Sequence, residues 1–107
     1  MADSQRYAAV VTQVLRRAAV DQPRLQSLRI SAVCDAIAGQ FLMIATGWEK
    51  GNWLNTILFH ARLQDGKVII EEDNVEAGLS GELIAAGILP EDLLSSEEPL
   101  QVDRAVA

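Results

Sequence analysis

His60 is the only histidine of the chain, and so the only side chain whose ordinary pKa suits proton transfer near neutral pH. Cys34 is the only cysteine. The two are formally a base and a nucleophile, but no nucleophile is evident beside His60. Cys34 stands in a strand-like alternation where it reads as a small buried hydrophobe. One cysteine also excludes an internal disulfide and any zinc site built on several thiolates of this chain. The carboxylates Glu71, Glu72, Asp73 and Glu76 cluster, and Asp65-Gly66-Lys67 matches the loose acid-x-lysine pattern with which many nucleases hold a divalent ion. Magnesium would suit such a site, because it binds through one or two carboxylates plus substrate. An Asp-Gly pair between two strand-like runs is, however, the ordinary mark of a hairpin turn, and the turn accounts for it fully. Trp48 and Trp53 could stack on unpaired bases, but they lack the interleaved lysines and arginines of such a groove. A tryptophan pair packed in the core beside a turn is the simpler reading. No P-loop, dinucleotide glycine fingerprint or nucleophile elbow occurs. The expectation is therefore no catalytic residue, no metal and no cofactor.

The elements that would position these residues follow from periodicity. Tyr7, Val10, Val11, Val14, Leu15 and Ala18 form one stripe of an α-helix over about residues 5 to 20, with Ser4 available as cap and Pro23 beyond its end. From Leu28 onward β-branched and aromatic runs take over: Arg29 to Ile37, Phe41 to Glu49, Asn52 to Leu63 and Lys67 to Glu72. The breaks at Gly39-Gln40, Lys50-Gly51 and Asp65-Gly66 place glycine where tight hairpins need positive φ, and connections this short force an antiparallel meander. Asp73-Asn74-Val75-Glu76 has the form of a capping box, predicting a second helix over about 75 to 86 with Gly87 as its stop. Pro90-Glu91-Asp92 opens a short helical turn. The fold class is α+β: an N-terminal helix, a four-stranded antiparallel meander and a C-terminal helix, in a single domain over 1–107.

Symmetric turns set an expected register. Leu63 faces Val68, Arg62 faces Ile69, Ala61 faces Ile70 and His60 faces Glu71, so that His60 and Glu71 form a cross-strand polar pair. Across the other hairpin Trp48 faces Trp53, Ile44 faces Ile57 and Leu42 faces Phe59. One face then gathers Leu42, Ile44, Trp48, Trp53, Ile57, Phe59, Ala61 and Leu63 as a core. The other carries Phe41, Met43, Leu54 and Leu58 and is too apolar to be left in water. These four are the expected partner or dimer surface, and a two-fold homodimer is the commonest way for a small protein to bury one.

With 107 residues the chain has room for one core, and with half of them apolar it can offset its chain entropy. It has no run of 18 apolar residues, and Met1-Ala2-Asp3-Ser4 has neither the basic nor the apolar region of a leader, so a cytosolic protein is expected. A net charge of −6 makes the average surface repel phosphate, which disfavours non-specific nucleic-acid binding and favours a basic partner.

The stretch Phe41-Leu-Met-Ile-Ala-Thr-Gly47-Trp48, with His60 twelve residues on and then Asp65-Gly66-Lys67-Val-Ile-Ile, resembles the XisI family, the fdxN element excision controlling factors of cyanobacteria. The likeness continues through Asp73-Asn74-Val75-Glu76-Ala-Gly78, Glu82-Leu83 and Gly87-Ile88-Leu-Pro90-Glu91-Asp92-Leu93 to the closing Ala105-Val106-Ala107, and it takes in Tyr7 and Asp35. Family members typically carry a polar residue such as threonine where Val75 stands, and aromatic residues in the tail where this chain has Leu100 to Arg104. The resemblance implies a compact XisI-like α+β domain encoded beside XisH, a partner with an endonuclease-like fold. Both are associated with control of excision of a DNA element by a recombinase during heterocyst development. It also marks Asp35, Gly47, Trp48, His60, Asp65, Gly66, Glu76, Gly78, Pro90 and Asp92 as family-matching positions without an assigned role. The expected function is a non-catalytic accessory factor that binds an XisH-like protein and needs no cofactor. The alternatives are a direct DNA-binding factor using Arg16, Arg17, Arg24 and Arg29, and, more remote, a metal-dependent nuclease.

Overall fold

A computed structural model describes residues 2–21, 28–75 and 78–95. Helix α1 (Ala2–Asp21) is followed by strands β1 (Arg29–Asp35), β2 (Gln40–Glu49), β3 (Asn52–Gln64) and β4 (Lys67–Asp73). Helix α2 (Ser80–Ala86), a 3-10 turn (Pro90–Asp92) and the short strand β5 (Leu93–Ser95) complete the order. The sheet runs β1-β2-β3-β4-β5, antiparallel throughout except for β5, which lies parallel to β4. The expected helix, meander and second helix are present. The added fifth strand is too short to show any period in the sequence. No helix of the described residues is long and apolar enough to cross a membrane.

The hairpins form where two-residue loops were expected. Lys50 and Gly51 both have positive φ, as do Asp65 and Gly66, the twist that matches antiparallel strands. Gly39 serves a different need: its φ is +69°, and a Cβ there would lie 2.8 Å from the Leu63 carbonyl oxygen. Helix α1 begins at Ala2, upstream of Ser4, which is therefore not its cap. The Ser4 side chain, Pro23, Arg24, Glu76 and the segment 96–107 lie outside the described residues. Helix α2 starts at Ser80 rather than near Val75, because the Asp73 carboxylate is used on the loop before it. Asp73 Oδ1 accepts the Val75 N–H at 3.1 Å and Oδ2 the Leu79 N–H at 3.0 Å. At the helix end Gly87 accommodates a φ of 130°, and the Ile88 N–H reaches back to the Leu83 carbonyl at 3.0 Å.

Two irregularities decide which face becomes the core. Trp48 is opposite Trp53 and Ile44 opposite Ile57 as expected, but the register then shifts, so that Met43 faces Phe59, Leu42 faces His60 and Phe41 faces Ala61. Leu58 is the extra residue, and it reverses the in–out alternation of β3. A second shift between His60 and Ala61 leaves Glu71 as the extra residue of β4 and sets His60 opposite Glu72. The inner face therefore carries Phe41, Met43, Ala45, Phe59, Ala61, Val68 and Ile70. It is buried together with Tyr7, Val11, Val14 and Leu15 of α1 and with Leu79, Leu83 and Ile88 around α2.

This corrects the expected faces. Phe41 and Met43 are 0% exposed inside their own subunit, and Leu54 and Leu58 are half-buried, Leu58 against the core, so these four do not form an open partner or dimer surface. The face expected to be the core holds Leu42, Ile44, Trp48, Trp53 and Ile57, none of which is buried. Both helices contribute to one core on one side of the sheet.

Candidate functional site

The outer sheet face is built by alternation along strands whose other side chains make the core. From β1 to β3 it presents Val33, Leu42, Ile44, Trp48, Trp53 and Ile57, then turns polar at Gln40, His60 and Arg62. Trp48 and Trp53 stand across the hairpin at its tip, edge to face, with ring centroids 5.5 Å apart and planes at 72°. They are adjacent as expected, but they are 57% and 56% exposed and not buried. At the polar end His60 Nε2 is 2.7 Å from Gln40 Oε1, and Arg62 forms an ion pair with Glu71 and a hydrogen bond to Gln64. His60 thus takes a partner from β2, not the expected Glu71. The bulge at Glu71 moves that carboxylate to Arg62.

A second cluster ties α1 to the end of the sheet. Asp92 Oδ2 accepts the Tyr7 hydroxyl proton at 2.6 Å and Oδ1 accepts from Lys67 Nζ at 3.0 Å, while the Leu89 N–H donates to the Tyr7 oxygen at 3.3 Å. The hydrogen bond from Tyr7, followed by that from Lys67, holds the Asp92 carboxyl below its ordinary pKa. The same bonds, made to the carboxylate, raise the pKa of Tyr7 and of Lys67. Sequence spacing gave no sign of this cluster, because its members are 85 and 25 residues apart. It accounts for Lys67 of the acid-x-lysine pattern: the ammonium is held by Asp92. Among the described residues no group of three or more metal-ligating side chains converges. Glu72 accepts from Asn74 Nδ2 at 2.7 Å, and Asp73 closes its loop as above.

A family model described as XisI protein matches residues 1–104. The chain belongs to the XisI family. Two solved structures from Anabaena variabilis share its fold. A XisI-like protein superposes with a TM-score of 0.77 at 21% identity, covering 85% of this chain and 84% of that one. The fdxN element excision controlling factor XisI superposes with a TM-score of 0.69 at 20% identity, covering 86% and 84%. No curated protein matches the chain.

Most XisI-matching positions serve the fold. Asp35 Oδ1 accepts the N–H groups of Ile37 and Ala38, both at 3.0 Å, and shapes the turn after β1. Asp65 and Gly66 form a hairpin turn, Gly47 is buried in β2, Gly78 has positive φ ahead of α2, and Pro90 opens the 3-10 turn that delivers Asp92. Among the described positions Trp48 and His60 are the exceptions, since both lie on the outer face. Cys34 is half-buried and packs against the core.

Proposed function

We propose that the chain is a non-catalytic controlling factor of programmed DNA element excision, acting in the cytosol by binding an XisH-like, nuclease-like protein through its outer sheet face. Membership of the XisI family supports the process, and the exposed Trp48–Trp53 pair beside half-buried Leu42, Ile44 and Ile57 carries the mode of action. Tryptophans flanked by apolar side chains and rimmed by polar ones are the composition of a protein-binding hot spot. The net charge of −6 favours a basic protein over a phosphate backbone. Among the described residues Lys67 is held by Asp92, Glu71 by Arg62, His60 by Gln40 and Glu72 by Asn74, while Asp65 and Asp73 shape a turn and a loop.

The test is titration of a purified XisH-like protein with this chain and with a Trp48→Ala/Trp53→Ala variant whose fold is checked by circular dichroism. A hot-spot pair should weaken binding by at least ~30-fold, the equivalent of about 2 kcal/mol. Absence of binding, or equal binding by the variant, would overturn the reading. A DNA-shift assay at two salt concentrations run alongside separates the direct DNA-binding alternative, for which exposed Arg16, Arg17 and Arg29 are the basic residues to mutate.

A further inference from the structure

Among the described residues strand β1 is paired on its β2 side only and forms one border of the sheet, whereas the opposite border is closed by the three-residue β5. An open edge of seven residues presents a row of N–H and C=O groups that can template another strand. Soluble proteins blunt such edges with lysine, proline, bulges or short length. β1 uses none of these. Ile30 to Cys34 carry no charge and no proline, and the register with β2 runs without a shift. Its charges stand only at its two ends, Arg29 and Asp35, and are of opposite sign.

We propose that two copies of this chain join edge to edge, β1 against β1, antiparallel and centred on Ala32. In that register Arg29 faces the second copy's Asp35, Ile30 its Cys34, Ser31 its Val33, and Ala32 its own counterpart. Two-fold symmetry makes each pair occur twice, except the central Ala32 pair on the axis. A one-residue slip either way loses both charge pairs and turns the faces over, so the charges select this register. Val33, 49% exposed in one subunit, becomes a diagonal neighbour of the second Val33 across the axis, at about 7–8 Å. On the helix side, a groove lined by α1 residues from Gln5 to Arg16 and by Ala36 lies between α1 and the turn after β1. The pairing uses the sheet border and leaves Trp48, Trp53, Leu42, Ile44 and Ile57, and with them the partner reading, untouched.

The experiment is disulfide trapping with the full chain. Opposed Ala32 positions would be about 4.5–5.5 Å apart at Cα, within the ~4.4–6.8 Å span of a disulfide. The two Cys34 would be about 13 Å apart along the strands, four residues at ~3.3 Å. Light scattering should give a dimer. Mild oxidation should crosslink an Ala32→Cys/Cys34→Ser variant and leave the native chain uncrosslinked. As a second measurement, Arg29→Glu and Asp35→Lys should each weaken self-association roughly tenfold. Mixing the two variants should restore it, because both end pairs are then again of opposite sign. Asp35 also shapes its turn, so the fold of that variant is confirmed by circular dichroism before mixing. A monomer at millimolar concentration would overturn the proposal. So would a dimer that traps through Cys34 and not through position 32, or whose charge variants are neutral and fail to complement.

Discussion

Truncating one aromatic on each face of β2 tests the assignment of inside and outside. Phe41 and Trp48 lie seven residues apart on the same strand, and the alternation sends them to opposite faces. Phe41 is fully buried under α1, so Phe41→Ala removes a ring and leaves a cavity, at about 3–5 kcal/mol. Trp48 keeps less than half of its surface out of water. That is roughly 80 Å² of a side chain that buries up to ~200 Å² elsewhere, or about 2 kcal/mol at ~25 cal/mol per Å², as an upper bound. Trp48→Ala should therefore cost ~1–2 kcal/mol, with no cavity contribution because the site opens to solvent. Urea denaturation followed by circular dichroism, at one fixed protein concentration, measures both. If Trp48→Ala proves as costly as Phe41→Ala, the outer face is covered within the subunit and the assignment of inside and outside is wrong.

Gly39→Ala should destabilise by well over ~1 kcal/mol, since the added Cβ meets the Leu63 carbonyl at 2.8 Å as well as an unfavourable φ. Gly51→Ala, with positive φ but nothing within 4 Å, should cost only about 1 kcal/mol, and equal costs in urea titrations would refute the close approach. The Tyr7–Asp92–Lys67 cluster predicts a pH dependence. Asp92 has a depressed pKa, so its contribution is present above its ordinary value of 3.8 and is lost as pH falls through the lower folded value. Lys67 and Tyr7 have raised pKa values, so theirs are present below 10.5 and 10.0 and are lost as pH rises through the higher folded values. Asp92→Asn should therefore lower stability at neutral pH and converge with the native chain in strong acid. A gap that persists there, measured by urea titration across pH, would remove the carboxylate from the account.

What the amino-acid sequence determined alone is what neighbouring residues decide between themselves. The stripe from Tyr7 to Ala18, the turns at Lys50-Gly51 and Asp65-Gly66, the stop at Gly87 and the turn at Pro90 all act within a few residues. Each was legible for that reason, and so was the pairing beside each turn, where loop length sets the register. The likeness to the XisI family could be read from motif order and spacing, and the family match over residues 1–104 bears it out. Only the tertiary structure decided which face of the sheet is buried. Leu58 and Glu71 are ordinary strand residues to the eye, and whether either becomes a bulge depends on its partner strand and on the helix packed beneath. Because strand alternation has a period of two, one extra residue exchanges the faces from that point onward. That exchange brought Phe59 and Ala61 to the face of Phe41 and Met43, which became the core, while Trp48 and Trp53 stand on the other face in water. The ion-paired cluster was hidden for a related reason: Tyr7, Lys67 and Asp92 meet only once α1, β4 and the 3-10 turn have converged, and no local pattern records that meeting.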